Sequence, residues 1–229
     1  MELISIRGGT KEELEARKYT IGVGISLGNK WFTPENIADL VNWAFRFSKD
    51  RVIVYVADSI HALNIESRNG KSPEKSLEMA LALGEEILNA TREVVRKMLP
   101  EDLLKKVAYV KWSELQDEKY LKKVKYLYSF FDNDRDFHKK ITGIVHHHIE
   151  KEKRNFNDDA LKKMAYYALE ELPELLCRVK MGKYECDAYA YPFDGELTEL
   201  AEQIQKGGIF PFIKKAIIDT EPKVFLEVR

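Results

Sequence analysis

Apolar positions along the chain follow two rhythms, short unbroken runs and stretches spaced three or four apart, and their order predicts strands separated by helices. Residues 20–25 and 51–57 are rich in Ile, Val and Tyr without polar alternation, as expected of parallel strands covered on both faces. Between them Thr33 and Pro34 open a helix in which Ile37, Leu40, Val41, Ala44 and Phe45 recur at helical spacing. A polar loop around 67–72 leads to a helix over 74–98, and a third strand is expected at 107–111. Ser113 and Gln116 have the spacing of a capping box and predict helices from there to about 150, with a break at 132–134. A further helix starts at Asn157 or Asp158 and is expected to end near Pro173. A strand over 184–191, a helix over 196–206 before Gly207-Gly208, and a last strand over 224–228 complete the pattern. Alternating β and α elements without repeat or linker predict an α/β fold. The expected architecture is a single Rossmann-like domain over 1–229, with a mostly parallel central sheet and helices on both faces.

Composition narrows the function classes. A chain of 229 residues that is 45% hydrophobic and 33% charged is long enough for a well-buried core and is not a disordered one. Its formal net charge of -1 denies it a broad cationic surface, so nucleic-acid contact requires a local patch. The apolar run 52–57 is too short to cross a bilayer, and residues 1–7 lack the basic-then-apolar order of a signal peptide. A cytoplasmic protein without membrane contact is expected. Two cysteines, Cys177 and Cys186, offer neither a disulfide framework nor a zinc pair. His146, His147 and His148 are consecutive, so on a helix they point about 100° apart and cannot converge on one metal.

Candidate chemistry concentrates in Gly22-Val-Gly24-Ile-Ser26-Leu-Gly28-Asn29, a glycine-rich turn after the first predicted buried strand that presents a hydroxyl. Gly24-x-Ser26-x-Gly28 matches a hydrolase nucleophile elbow, and Gly22-x-Gly24 hints at a dinucleotide turn with Asp58 as a ribose contact. The glycine spacing departs from the dinucleotide fingerprint, so no cofactor is expected. A third reading is acyl transfer. Tyr167 and Glu171 stand four apart on a predicted helix and share one face, where a phenol and a carboxylate can hold and deprotonate an amine. Alone, the pair reads first as a core tyrosine beside a solvated glutamate.

Together, Gly24-Ile-Ser26-Leu-Gly28-Asn29, Ser113-Glu-Leu-Gln116, Tyr167-x-x-x-Glu171-x-Pro173 and Tyr191-Pro192 resemble the cyclodipeptide synthase family in order and spacing. The resemblance implies a fold similar to the catalytic domain of class I tyrosyl- and tryptophanyl-tRNA synthetases, two aminoacyl-tRNAs as substrates, and a ping-pong reaction. Ser26 would take the first aminoacyl group, a dipeptidyl-enzyme would follow, and cyclisation would release a diketopiperazine. Tyr167 and Glu171 would hold the ammonium, Tyr191 would hydrogen-bond the substrate, Gly24 would leave it room and Asn29 would brace the turn. Tyr189, one strand pitch away, is the alternative to Tyr191. Family members with Asn at the Asn29 position usually carry Tyr-His where this chain has Tyr191-Pro192, so the chain mixes two subgroups.

By the same resemblance Gly22, Val54, Trp112 and Glu174 line the pocket for the first side chain. A carboxylate in an apolar pocket is costly unless it meets a donor or a cation, so a polar first amino acid that can be cationic, such as histidine, is expected. The alternative is that Glu174 points to solvent. Arg92, Arg96 and Lys97 are the expected tRNA contacts, extended by Lys122, Lys123 and Lys125, and the enzyme is expected to be a monomer without metal. The rivals are an α/β-hydrolase-type serine esterase, which needs a histidine later in the chain than His148, and a noncatalytic tRNA- or nucleotide-binding module.

Overall fold

The computed structural model describes residues 1–150, 156–193 and 195–229. Its six-stranded sheet contains β1 (Leu3–Arg7), β2 (Tyr19–Ile25), β3 (Ser48–Val56), β4 (Val107–Lys111), β7 (Ala188–Tyr191) and β8 (Val224–Val228), in the order β1-β8-β7-β2-β3-β4. Only β1 runs antiparallel to its neighbour. A separate hairpin pairs β5 (Val179–Met181) with β6 (Tyr184–Cys186). The expected strand over 184–191 is therefore two strands broken at Asp187. There the Thr20 N–H donates to the Asp187 carboxylate at 2.8 Å, and the Asp187 N–H donates to the Thr20 carbonyl at 3.0 Å.

Two apolar layers sandwich the sheet. On one face α2 (Pro34–Phe45) and α4 (Pro73–Met98) pack over Ile21, Val23, Val52, Val54 and Val56. On the other, α6 (Glu118–Asn133), α7 (Arg135–Glu150), α8 (Asp158–Leu176), α9 (Glu196–Lys206) and α10 (Pro211–Ile217) cover Ile53, Tyr55 and Tyr189. Short α1 (Lys11–Glu15) and α5 (Glu101–Leu104) and the longer α3 (His61–Asn69) complete the helices of the described residues. Helix starts follow side-chain caps: Thr33 accepts from the Asn36 N–H at 3.3 Å and Asn157 from the Ala160 N–H at 2.9 Å.

Three local expectations are corrected. Ser113 sits inside a 3₁₀ turn (Trp112–Glu114), and the helix cap is Asp117, which accepts from the Tyr120 N–H at 2.7 Å. Gln116 instead donates to Glu170 of α8 at 3.1 Å. Pro173 does not end α8, which continues to Leu176 because Leu172, Leu175 and Leu176 are buried in the core and their packing outweighs one lost backbone bond. The polar loop expected over 67–72 begins only at Gly70: α3 runs from His61 through Asn69, and Gly70, at φ +61°, closes it.

Candidate active site

Chain order places a crevice at the carboxyl ends of the strands. After β2 the chain builds β3 and β4 to one side, and β7 and β8 lie on the other, so β2 and β7 flank the point where strand order reverses. Open α/β sheets bind ligands there. Ser26 follows β2 directly and Tyr191 ends β7.

The serine turn is held by its own backbone and by two tyrosines. The Asn29 N–H donates to the Ser26 carbonyl at 3.4 Å, and the Asn29 side chain accepts from the Trp31 N–H at 3.0 Å. Gly28, at φ +81°, takes a conformation a side chain disfavours. The phenol groups of Tyr167 and Tyr191 lie close enough to the Ser26 side chain for it to act on both, and Tyr191 is likewise beside the Asn29 side chain. Burial, then the neighbouring Glu171, push both phenols above their ordinary range, which keeps them protonated as donors. Burial, with Glu174 adding repulsion, raises Glu171 to about 8. Tyrosines 141 and 165 positions downstream of Ser26 are thus brought beside it, and it is Tyr191 rather than Tyr189 on which Ser26 acts. Tyr189 stacks beneath Tyr191 with ring centroids 5.2 Å apart.

The glycines of β2 make room for aromatic rings. A Cβ on Gly24 would lie 2.5 Å from Cε2 of Tyr189, and one on Gly22 would lie 2.6 Å from the Cys186 sulfur and 2.9 Å from Cε1 of Tyr55. Gly24→Ala is expected to cost about 1–3 kcal/mol, since Tyr189 is confined between Tyr55 and Tyr191 and cannot step aside. Chemical denaturation checks this, and an unchanged midpoint would show that the ring yields. Strand alternation corrects the pocket: Val54 faces the α2 and α4 layer, whereas Tyr55 points toward Trp112, 6.3 Å between centroids, and toward Glu174. Trp112 is buried and its indole N–H has no partner among the described residues.

Glu174 does not point to solvent. It is 1% exposed, accepts from the Tyr55 hydroxyl at 2.9 Å, and forms an ion pair with Lys223, itself fully buried. The cation that a buried carboxylate requires is thus supplied by the chain, which sequence reasoning missed because a single lysine before the last strand carries no periodic signal. The chain's partner for Glu174 removes the need for a cationic substrate but leaves the site polar.

The cyclodipeptide synthase profile matches residues 10–208. The chain belongs to the cyclodipeptide synthase family. No curated protein matches it in sequence. Among solved structures, a cyclodipeptide synthase from Bacillus thermoamylovorans is 21% identical with a TM-score of 0.71, over 94% of this chain and 90% of that one. A cyclodipeptide synthase from Candidatus Glomeribacter gigasporarum, solved bound to Phe-tRNAPhe, is 17% identical with a TM-score of 0.56, over 92% and 88%. Tyrosyl-tRNA synthetase from Archaeoglobus fulgidus, solved with L-tyrosine, is 14% identical with a TM-score of 0.55, over 96% of this chain and 59% of that one. The fold therefore matches both the synthases and a tRNA synthetase.

For this synthase the expected tRNA contacts stand on the outer face of α4, already engaged. Arg96 pairs with Glu93 at 2.6 Å, Arg92 donates to Asn89 at 2.8 Å and lies over the Tyr109 ring at 4.9 Å, and Lys97 is exposed. The α6 lysines do not extend this patch, because α6 packs on the opposite face of the sheet. Lys123 is turned inward, to Asp219 at 2.6 Å and to the Cys177 sulfur at 3.3 Å. His146, His147 and His148 are exposed, and the described residues hold no cluster of three or more metal-ligating side chains. No described helix is long and apolar enough to cross a membrane. The esterase alternative also lacks its relay. His61, the histidine packed against the serine turn, has no partner on Nδ1 among the described residues, and so no carboxylate there to orient it.

Proposed function

We propose that this synthase joins two amino acids delivered by aminoacyl-tRNAs into a cyclic dipeptide through covalent intermediates on Ser26. The convergence of Ser26, Tyr167, Tyr191 and Glu171 at the sheet's switch point carries this reading. In the first step the Ser26 oxygen bonds to the ester carbonyl carbon, the bond to the ribose oxygen breaks, and the serine proton ends on that oxygen. One ester replaces another, so no nucleotide is consumed. The amine of the bound residue then attacks the second aminoacyl ester, and the amine of the resulting dipeptide attacks the Ser26 ester, closing the ring and freeing the hydroxyl. Holding both partners makes these steps a matter of orientation.

Tyr167 and Glu171 grip the α-amine; without substrate burial raises Glu171 to about 8, and the bound ammonium offsets that burial, so the carboxyl is ionised beside it and accepts its proton. Tyr191 supports the substrate backbone, Gly24 gives room to the Tyr189 ring that carries Tyr191, Asn29 braces the turn, and Arg92, Arg96 and Lys97 meet the tRNA. The first amino acid is polar and can be cationic, histidine being the choice that fits. Tyr55 and Lys223 both take Oε1 of Glu174, and we assign Oε2 to an imidazole N–H. The enzyme acts in the cytoplasm as a monomer without cofactor or metal. Incubation with individually charged tRNAs and mass spectrometry of the products tests this: a cyclic dipeptide containing histidine is expected, and hydrolysis alone would refute it.

Glu171 also sets a pH signature. Its carboxyl is raised in the folded protein, so its stabilising share is complete below the ordinary value of 4.5 and is lost as pH rises through about 8. Glu171→Gln removes that loss. The variant is expected to exceed the parent by about 2–4 kcal/mol at pH 9, with the difference shrinking toward pH 5, in urea unfolding at both values. A difference independent of pH would mean that burial does not hold this carboxyl neutral.

A further inference from the structure

Four aromatic rings gather where the serine turn meets the end of β7. Phe32 packs on Tyr191 with ring centroids 5.3 Å apart, Trp31 meets Phe193 at 6.1 Å, and Phe193 meets Tyr191 at 6.0 Å. Phe32 is buried, whereas Trp31 is half-buried and Phe193 is 43% exposed. Both neighbours meet the Phe193 ring at steep angles, 77° and 72°, so among the described residues no ring lies parallel against it. Trp31 is fixed in place: its N–H donates to the Asn29 side chain at 3.0 Å and its carbonyl accepts from Asn36 at 2.7 Å. Asn29 and Tyr191 both flank Ser26, so the exposed rings stand at the mouth of the serine crevice. Lys30, between Asn29 and Trp31, is exposed and pairs with no acid among the described residues. Solvent-facing aromatic rings beside a cation are the combination that binds single-stranded nucleic acid.

We propose that Phe193 and Trp31 form the stacking platform for the terminal adenine of the aminoacyl-tRNA, with Lys30 beside its phosphate. This inference rests on the tRNA-dependent transfer proposed above. The aminoacyl group is esterified to the ribose of that same nucleotide, so once the ester carbonyl reaches Ser26 the adenine lies only one sugar ring away. Tyr191 is the ring beside the serine and Phe193 is the ring beyond it, which puts the platform at the matching remove. Every tRNA ends in the same adenosine, so one platform takes both donors in turn. The first leaves after Ser26 is acylated, and the second occupies the same rings while the bound amine attacks its ester. Trp31 and Phe193 thereby set the distance from the tRNA end to the nucleophile and not the choice of amino acid.

Fluorescence tests this with a tRNA whose terminal adenine is replaced by 2-aminopurine, a base that darkens when it stacks on an aromatic ring. The parent is expected to quench it at least about twofold. Phe193→Leu should abolish most of that quench and weaken binding about tenfold, the scale of one lost base stack, and Phe193→Tyr should restore both. With charged tRNA, Phe193→Leu should raise the concentration that half-saturates Ser26 acylation about tenfold and leave the saturated rate within about twofold. The ring is 43% exposed, so its replacement leaves the core intact. Full quench and parent affinity in Phe193→Leu would overturn the inference. So would an intact quench with a changed second amino acid in the product, which would assign the ring to that residue's side chain. A parent that forms no adduct with any charged tRNA refutes the transfer and the platform with it; one that forms the adduct without quenching 2-aminopurine refutes the platform alone.

Discussion

Replacing Ser26 with alanine is expected to abolish cyclic dipeptide formation, by at least about a thousandfold, and to remove the covalent acyl adduct that intact-protein mass spectrometry of the parent should detect. The size follows from chemistry: without the hydroxyl no ester can form, and the two later bond-forming steps lose the carrier that makes them intramolecular. Folding should be unaffected, since Ser26 lies just beyond β2 and is only partly buried. Tyr167→Phe and Tyr191→Phe remove phenol groups beside the serine but leave the nucleophile, so each should retain measurable turnover and a slowly formed adduct. An alanine variant that still made product at the parent rate would place the nucleophile elsewhere.

Lys223→Met is expected to destabilise the protein by about 3–5 kcal/mol, because it strips the cation from a carboxylate that is 1% exposed. For a chain of this length that corresponds to a fall in Tm of roughly 10 °C. Burial by itself would lower the Lys223 ammonium's pKa, and the neighbouring Cys186 and Glu174 outweigh it, so the ammonium is held charged. The ammonium also stands 5.9 Å from the Tyr55 ring centroid and 6.0 Å from that of Tyr189, which ties the pair to the floor of the active site. Adding Glu174→Leu to Lys223→Met should recover most of the loss, since a buried ion pair replaced by apolar side chains is close to neutral. The double variant should also prefer an apolar first amino acid. A double variant as unstable as the single one would show that the cost lies in packing rather than in a stranded charge.

How far the chain could be read without coordinates depended on the range of the interactions. The spans of β2, α2, α4, β4, α9 and β8 agree with the expectations to within a residue or two at their ends, because caps, prolines and apolar spacing are written within a few neighbours. Errors arose where tertiary contacts overrode local signals. Pro173 stays inside α8 because the core holds the turn beyond it, Ser113 gives way to Asp117 as the cap, and the strand over 184–191 breaks where Asp187 pairs with Thr20. α3 escaped notice because its buried positions include His61 and Glu66, which a reading based on apolar periodicity takes for surface.

By itself the sequence determined the α/β class, the serine turn after β2, and the helical face shared by Tyr167 and Glu171, since each depends on neighbours a few positions apart. Only the tertiary structure decided that Tyr191 rather than Tyr189 meets the serine, that Tyr55 rather than Val54 faces the pocket, that Lys223 neutralises Glu174, and that His61 lies against Gly28. Strand register and layer packing set these contacts, and both depend on burial summed over the whole sheet, which no single stretch of residues encodes.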